Sequence, residues 1–327
     1  MVSKMNQNKS KRIFNEFSKK KFLVIGDIML DSYIFGSSNR ISPEAPIPIV
    51  DLNDMNHKLG GAANVALNLS SLGAKVCLAG VIGYDSEGEL LEKILIDNGI
   101  DSNLIFKSSD RQTTQKSRII SNGHHVLRLD RETRVDVNSS ISKKIIKSIS
   151  AIISEFDGII LEDYNKGVFN KKTIPQLIEL CNLNNKAVYV DPKHDNFLQY
   201  SDIRLMKPNL LEFCNALNLK KFNEKSGFEL LKKINSDILL ITKGADGISL
   251  FQDSLHYEAP TQARKIHDVS GAGDTVIAVF ALCDVCGLDS KISADIANYA
   301  AGVTCEEVGV VPVSINSIKK FISTIDN

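Results

Sequence analysis

The chain has 327 residues, 43% hydrophobic and 24% charged, enough to bury a sizeable core as one large α/β domain or two small ones. Its 39 Lys and Arg balance 39 Asp and Glu, so the charge asks for neither nucleic acid nor a membrane surface as partner. No apolar run approaches the about 20 residues of a membrane helix, and the polar, basic first 20 residues lack the apolar centre of a signal peptide. The expectation is a cytoplasmic protein with a flexible tail over residues 1–20.

Phe22–Gly26 is a short apolar run closed by glycine, which predicts a first strand buried on both faces. Asp27 and Asp31 follow at its C-terminal end, the edge where open parallel sheets bind ligands. They either hydrogen-bond a polyhydroxylated substrate or act as turn and cap residues. Residues 32–58 break the pattern. Ser32–Gly36 and Ile47–Asp51 predict short strands, and Pro43, Pro46 and Pro48 suit an edge or flap over the sheet. Gly60 and Gly61 open a helix carrying Val65, Leu69 and Leu72 on one face. They let a group approach its N-terminus, where Asn64 bonds either a ligand hydroxyl or the backbone. Next come a strand, Val76–Ile82, and a helix, Ser86–Asn98. Two extended pieces within 113–130 then flank the hairpin signal Asn122-Gly123. Lys116, Arg118, Arg128 and Arg131 make this segment basic, facing a substrate phosphate or solvent.

A helix at about 139–155 precedes the strand Gly158–Leu161, and another at about 171–184 precedes Ala187–Val190. Ile203–Met206 and Ile238–Ile241 are the next strands, with a helix starting after Asn209. Polar residues recur at one end of consecutive strands: Asp27, Asp163, Asp191, Asn209 and Thr242. In a right-handed β-α-β array those ends share one edge. Short strands Ser249–Phe251 and Leu255–Tyr257 lead to residues 268–277, where Gly271, Ala272 and Gly273 run into an apolar helix. The N–H groups of a first helical turn lack internal partners and attract anions, and Asp274 lies in that turn. It is either the base of a phosphate site or an acid favoured by the helix dipole. Helices at about 274–287, 290–306 and 314–325 complete one domain with a flap. The six cysteines, Cys283 and Cys286 included, suit small core positions, and the histidines have no metal-ligand spacing.

The chain contains no G-x-x-x-x-G-K-[ST], no G-x-G-x-x-G after the first strand, and neither H-R-D nor D-F-G. A P-loop is therefore excluded, and dinucleotide dehydrogenases and protein kinases are disfavoured. What remains is a helix N-terminus for a transferring phosphoryl group and an acid placed to take a proton from an alcohol. The run Asp268–Asp274 resembles the C-terminal signature of the ribokinase (PfkB) family of sugar kinases, and Gly60–Asn64 resembles its N-terminal signature. Lys207–Glu212 and Thr242–Gly247 match its nucleotide-side motifs in order and spacing. The resemblance covers roughly residues 20–325. It implies an α/β, ribokinase-like fold with a mostly parallel central sheet, helices on both faces and a small β lid. The kinase domain would span 21–327, with lid strands within about 32–58 and 113–130. Within the family, residues 26–33, 40–49, 127–130, 163–167 and 260–262 are similar to the branch acting on D-glycero-β-D-manno-heptose 7-phosphate.

That resemblance implies an ATP- and Mg²⁺-dependent kinase, with a monovalent cation as a further candidate cofactor. Asp274 would remove the proton of the anomeric hydroxyl while the N–H groups of Gly271, Ala272 and Gly273 stabilise developing charge. Asp191, Lys193, Asn209, Leu210, Leu211, Glu212, Thr242, Gly244, Gly247 and Asn298 would serve ATP, Glu212 reaching Mg²⁺ through water. Asp27, Asp31, Gly60, Gly61, Asn64 and Asp163 would hold the sugar, with Lys116, Arg118, Arg128 and Lys166 as candidates for its 7-phosphate. The expected protein is a stand-alone kinase of ADP-heptose synthesis for lipopolysaccharide, dimeric through the unpaired edges of its lid. Another sugar or sugar-phosphate kinase of the family, and a sugar-binding pseudokinase, are the alternatives.

Overall fold

A strand that is apolar at every position must be covered on both faces. In the computed structural model, which describes residues 14–261, 267–307 and 309–325, Phe22 and Val24 pack into one core while Leu23 and Ile25 pack into another. The strands are β1 (Lys21–Gly26), β2 (Ile28–Ile41), β3 (Pro48–Gly61), β4 (Lys75–Gly83), β5 (Asp101–Ser108), β6 (Thr114–Ser121), β7 (His124–Arg131), β8 (Gly158–Glu162), β9 (Ala187–Asp191), β10 (Ile203–Met206), β11 (Ser236–Thr242), β12 (Ile248–Gln252) and β13 (Leu255–Ala259). Nine of them form one sheet in the order β13-β12-β11-β10-β9-β8-β1-β4-β5. It is parallel from β11 to β5, with β12 and β13 antiparallel at one edge.

The helices are α1 (Ala62–Ser71), α2 (Ser86–Asp97), α3 (Ser139–Ile152), α4 (Thr173–Leu183), α5 (Leu210–Ala216), α6 (Glu224–Lys233), α7 (Ala272–Val285), α8 (Ser290–Thr304) and α9 (Ile315–Ile325). Residues of α1, α2, α7, α8 and α9 build the core on one face, and residues of α3 to α6 build the core on the other. A helix apolar all round belongs in the interior, and α7 is buried without a break from Asp274 to Cys283. Among the described residues, no helix is long and apolar enough to cross a membrane.

The remaining strands form a second sheet, β3-β2-β6-β7. Its β2–β3 hairpin is longer than the sequence predicts, with 14 residues in each strand. Pro43 and Pro46 fall in the turn and Pro48 begins a strand, so none of the three interrupts the ladder. Gly60 and Gly61 close β3 instead of opening α1. Gly61 caps the helix with φ 57°, a backbone setting that glycine tolerates at little cost.

Three further differences have local causes. β5 is unpredicted because, of its eight residues, only Leu104 and Ser108 are buried, which leaves no clear alternation. α6 is hidden by Gly227, a weak helix former placed where a Cβ would stand 2.4 Å from the Phe251 ring. The tail expected over 1–20 is packed from residue 14, where Phe14 and Phe17 join the core. Residues 1–13, and Gln262 of the 260–262 motif, lie outside the described residues.

The topology gathers the polar strand ends. Asp27, Asp163, Asp191, Asn209 and Thr242 follow or close β1, β8, β9, β10 and β11, which are neighbours in the sheet. Backbone bonds extend the ladder past the strands, from Asp27 N–H to Glu162 O (3.1 Å), Asp163 N–H to Asp191 O (3.1 Å) and Thr242 N–H to Pro208 O (3.0 Å). The five residues share one carboxyl-end edge.

Candidate active site

Gly271 caps α7 in the left-handed region, φ 79°, and a Cβ there would stand 2.6 Å from the Asn64 amide nitrogen. The turn thus brings Asp274 against Asn64 of α1. Asn64 Nδ2 donates to Asp274 Oδ2 at 2.7 Å, and the Tyr164 hydroxyl donates to Oδ1 at 2.8 Å. The carboxylate is 3% exposed. Burial pushes its pKa up, the bond from Asn64 draws it down, and nearby Asp191 pushes it up again, for a net rise. A buried carboxylate held from both sides, with raised proton affinity, has the attributes of a general base. The Ala272 N–H is engaged by Val269 O at 3.3 Å, which withdraws it from the expected anion hole in this conformation. Those of Gly271 and Gly273 find no backbone acceptor among the described residues.

Behind the base, Glu162, Asp191 and Asp274 bring carboxylate oxygens within 4.8 Å of one another. Lys207 Nζ answers Asp191 Oδ2 at 2.8 Å, yet both oxygens of fully buried Glu162, and Asp191 Oδ1, have no hydrogen-bond partner among the described residues. Burial, then the charges of Asp191 and Asp274, push Glu162 well above the usual carboxylate range. Burial opposes the charge of Lys193 and Lys207, but Asp191, Glu212 and Glu162 together outweigh it and both are raised. Orphaned carboxylate oxygens in a polar pocket suit a hard divalent cation such as Mg²⁺. Glu212, the expected metal contact, is engaged elsewhere. Its Oε2 accepts the Asn209 N–H at 2.8 Å in a capping box, and its Oε1 pairs with Lys193. The N-x-x-E spacing that drew attention to it is the spacing a capping box needs.

A cavity of about 400 Å³ opens before these groups. Asp274, Gly271, Ala272, Gly273, Asp191, Lys193, Asn209, Glu212, Thr242, Gly244, Gly247 and Asn298 all line it. Leu210 and Leu211 do not. Leu211 is 69% exposed and Leu210 packs against the α3–α6 core, because only one face of α5 can look into the cavity. Val276, Ala301 and Cys305 give the cavity an apolar wall, and Asn298 donates to Pro260 O at 2.7 Å beside it.

The residues expected on the sugar side divide sharply. Asp27 accepts the N–H groups of Tyr164 (2.8 Å), Lys166 (2.9 Å) and Val168 (3.3 Å). Asp163 accepts from Asn165 N–H, Asn196 and Tyr200, and burial together with Asp27 pushes it up to about 6. Both aspartates accept hydrogen bonds from the turn after β8, which for Asp27 is the arrangement of the turn-and-cap alternative. Three of the four cations are already paired: Lys166 with Glu132 (2.7 Å), Arg118 with Asp31 (2.5 Å) and Arg128 with Asp130 (2.9 Å). Lys116 is in no ion pair among the described residues, and its ammonium lies 5.5 Å from the Tyr164 ring centre. Gly60 makes room for Asp31, since a Cβ there would stand 2.4 Å from Asp31 Oδ2, and one at Gly61 would stand 2.5 Å from the Asp27 carbonyl oxygen. Tyr164 itself goes unassigned from sequence, although it lies within one of the quoted motifs. Its role follows from a bond across 110 residues, not from local spacing.

Comparison with known proteins agrees with this geometry. A family model described as pfkB family carbohydrate kinase matches residues 19–316. The bifunctional protein HldE of Helicobacter hepaticus is 38% identical over 313 residues, covering 94% of this chain and 65% of that protein. The HldE of Sulfurimonas denitrificans is 38% identical over 318 residues, covering 96% and 66%. The chain therefore spans about two thirds of the length of these relatives. Among solved structures, Escherichia coli phosphofructokinase-2 in complex with potassium matches with a TM-score of 0.76 at 16% identity, over 94% of this chain and 99% of that one. Arabidopsis thaliana ribokinase complexed with ribose and ATP matches with a TM-score of 0.72 at 17% identity, over 93% and 98%. At such identities the likeness is one of fold.

Proposed function

Since the chain belongs to the pfkB family of carbohydrate kinases, and is thus an ATP-dependent sugar kinase, we propose that its acceptor is D-glycero-β-D-manno-heptose 7-phosphate, phosphorylated at C1 to the 1,7-bisphosphate. One observation carries the chemistry: a buried Asp274, held by Asn64 and Tyr164 at the N-terminus of α7, facing a cavity lined by nucleotide-side motifs. The substrate rests on the residues of β2 and of the turn after it that resemble the heptose branch, and on the identity to the HldE proteins.

In this proposal an oxygen of Asp274 takes the proton of the anomeric hydroxyl as the sugar oxygen attacks the terminal phosphorus of ATP, whose bond to the bridging oxygen breaks to release ADP. The N–H groups of Gly271 and Gly273 meet the negative charge that develops; one such donor typically contributes about 3 kcal/mol. Lys193 and Lys207 offset the charge of the phosphates. Asn209, Thr242, Gly244, Gly247 and Asn298 line the nucleotide, and Asp31 with Arg118 borders the sugar. Glu162 and Asp191 would hold Mg²⁺, which when bound shields the phosphate oxygens. A monovalent cation is proposed by analogy with the potassium complex of phosphofructokinase-2. The setting proposed is the cytoplasm and ADP-heptose synthesis.

Purified protein with ATP, Mg²⁺ and a panel of sugars tests the substrate. Turnover of the heptose phosphate, halted by chelation, is expected; brisk turnover of fructose or ribose beside an idle heptose phosphate would sink the assignment. Asp274 acts only when ionised, so kcat/KM should rise with pH through an acid limb lying above the ordinary aspartate value of about 4. An acid limb at or below that value would remove Asp274 as the titrating base.

The lid edges β3 and β7 are unpaired among the described residues, and Ile41, Leu52, Met55, Leu127 and Leu129 are exposed on the lid. Open edges with apolar side chains favour pairing with a second copy. Light scattering is expected to give a dimer mass, and a monomer throughout the working concentration range would refute it.

A further inference from the structure

Tyr164 links two ends of one space. Its hydroxyl is bonded to Asp274, and the Lys116 ammonium lies 5.5 Å from its ring centre. Lys116 projects from β6 at the position facing Asp31 of β2, and it is not among the residues lining the nucleotide cavity. A tyrosine side chain is about as broad as a pyranose ring. A sugar lying alongside it with its anomeric hydroxyl at Asp274 would carry its far substituent to Lys116. Three other cations near this space have carboxylate partners already: Arg118, Lys166 and Lys193 hold Asp31, Glu132 and Glu212. Arg111 is held by the carbonyls of Thr133 and Lys166, and Lys58 faces Asp31 from β3, on the far side of β2 from Lys116.

We propose that Lys116 binds the phosphate already carried by the acceptor sugar, and so selects phosphorylated sugars over plain ones. The inference rests on the acceptor being a sugar phosphate, as proposed above. A half-buried ammonium in no ion pair among the described residues is poorly solvated, and burial, reinforced by Lys166 against the more distant pull of Asp31, Asp130 and Glu132, lowers its proton affinity. A phosphate dianion would supply the missing charge and strong acceptor oxygens. Lysine suits this task because it meets a phosphate as a point charge on a flexible stem, able to follow the lid.

The test compares wild type, Lys116→Gln and Lys116→Arg on two acceptors, heptose 7-phosphate and the same heptose without phosphate. In Lys116→Gln, kcat/KM for the phosphorylated acceptor is expected to fall roughly 10- to 100-fold relative to that for the plain one. KM for ATP should be unchanged, and Lys116→Arg should recover most of the loss. Equal losses on both acceptors, as general damage to the fold would give, or a loss confined to ATP, would overturn the assignment. A wild type that ignores heptose 7-phosphate but accepts another sugar phosphate refutes the substrate proposal alone; the same ratio on that sugar then decides Lys116. Acceptance of unphosphorylated sugars only would overturn both.

Discussion

Asp274→Asn is expected to lower turnover by about 10²- to 10⁴-fold, the usual contribution of a positioned general base, while nucleotide binding persists. The substitution preserves shape and leaves an oxygen that can still accept from Asn64 or Tyr164, so the start of α7 should keep its form. What disappears is the capacity to take a proton. It also removes one of three carboxylates crowded within 4.8 Å, so nucleotide affinity, measured by calorimetry, should not weaken. Near-normal turnover would show that another group removes the proton. Loss of nucleotide binding along with turnover would mean that Asp274 shapes the cavity instead of acting on the acceptor.

Asp27→Ala is expected to act on stability. The Asp27 carboxylate accepts three backbone N–H groups from the turn after β8, in a side chain only 2% exposed. Alanine would leave three buried donors without acceptors. Each such orphan costs about 1–3 kcal/mol, so a loss of at least about 3 kcal/mol is expected, a large part of the 5–15 kcal/mol that holds a typical domain. Because that turn carries Tyr164, activity should fall with folding, and KM of the protein that remains folded should change little. Thermal unfolding beside steady-state kinetics separates the cases. An unchanged melting temperature with a raised KM for the sugar would return Asp27 to the substrate-binding role that its place at a strand end suggests.

These two aspartates mark what the sequence can and cannot convey. The carboxyl-end edge was legible because each strand announces its own end, and one rule of handedness lines the ends up. The motif at Lys207–Glu212 was legible because it is local: Asn209 and Glu212 form a capping box at a spacing that one helical turn imposes. Which charges remain free was not legible. Arg118 is engaged by Asp31 across 87 residues and Lys166 by Glu132 of a different segment, so of the four candidate cations Lys116 alone is in no ion pair among the described residues. Glu162 was passed over for a similar reason. As the last residue of an apolar strand it looks like an ordinary strand end, and only the approach of α7 and β9 leaves its oxygens stranded. Lid length was underread because prolines within the segment suggest interruption, although they sit at its turn.

The carboxylate of Asp274 is oriented by residues 210 and 110 positions earlier in the chain. No contiguous fragment shorter than that span can present the base in working order. On the proposed role of Asp274, the protein stays catalytically silent during synthesis until α7 has left the ribosome and docked against α1, although residues 209–212 and 242–247 emerge before it. In refolding, recovery of turnover should accordingly trail recovery of helical signal, which makes activity a reporter of completed topology.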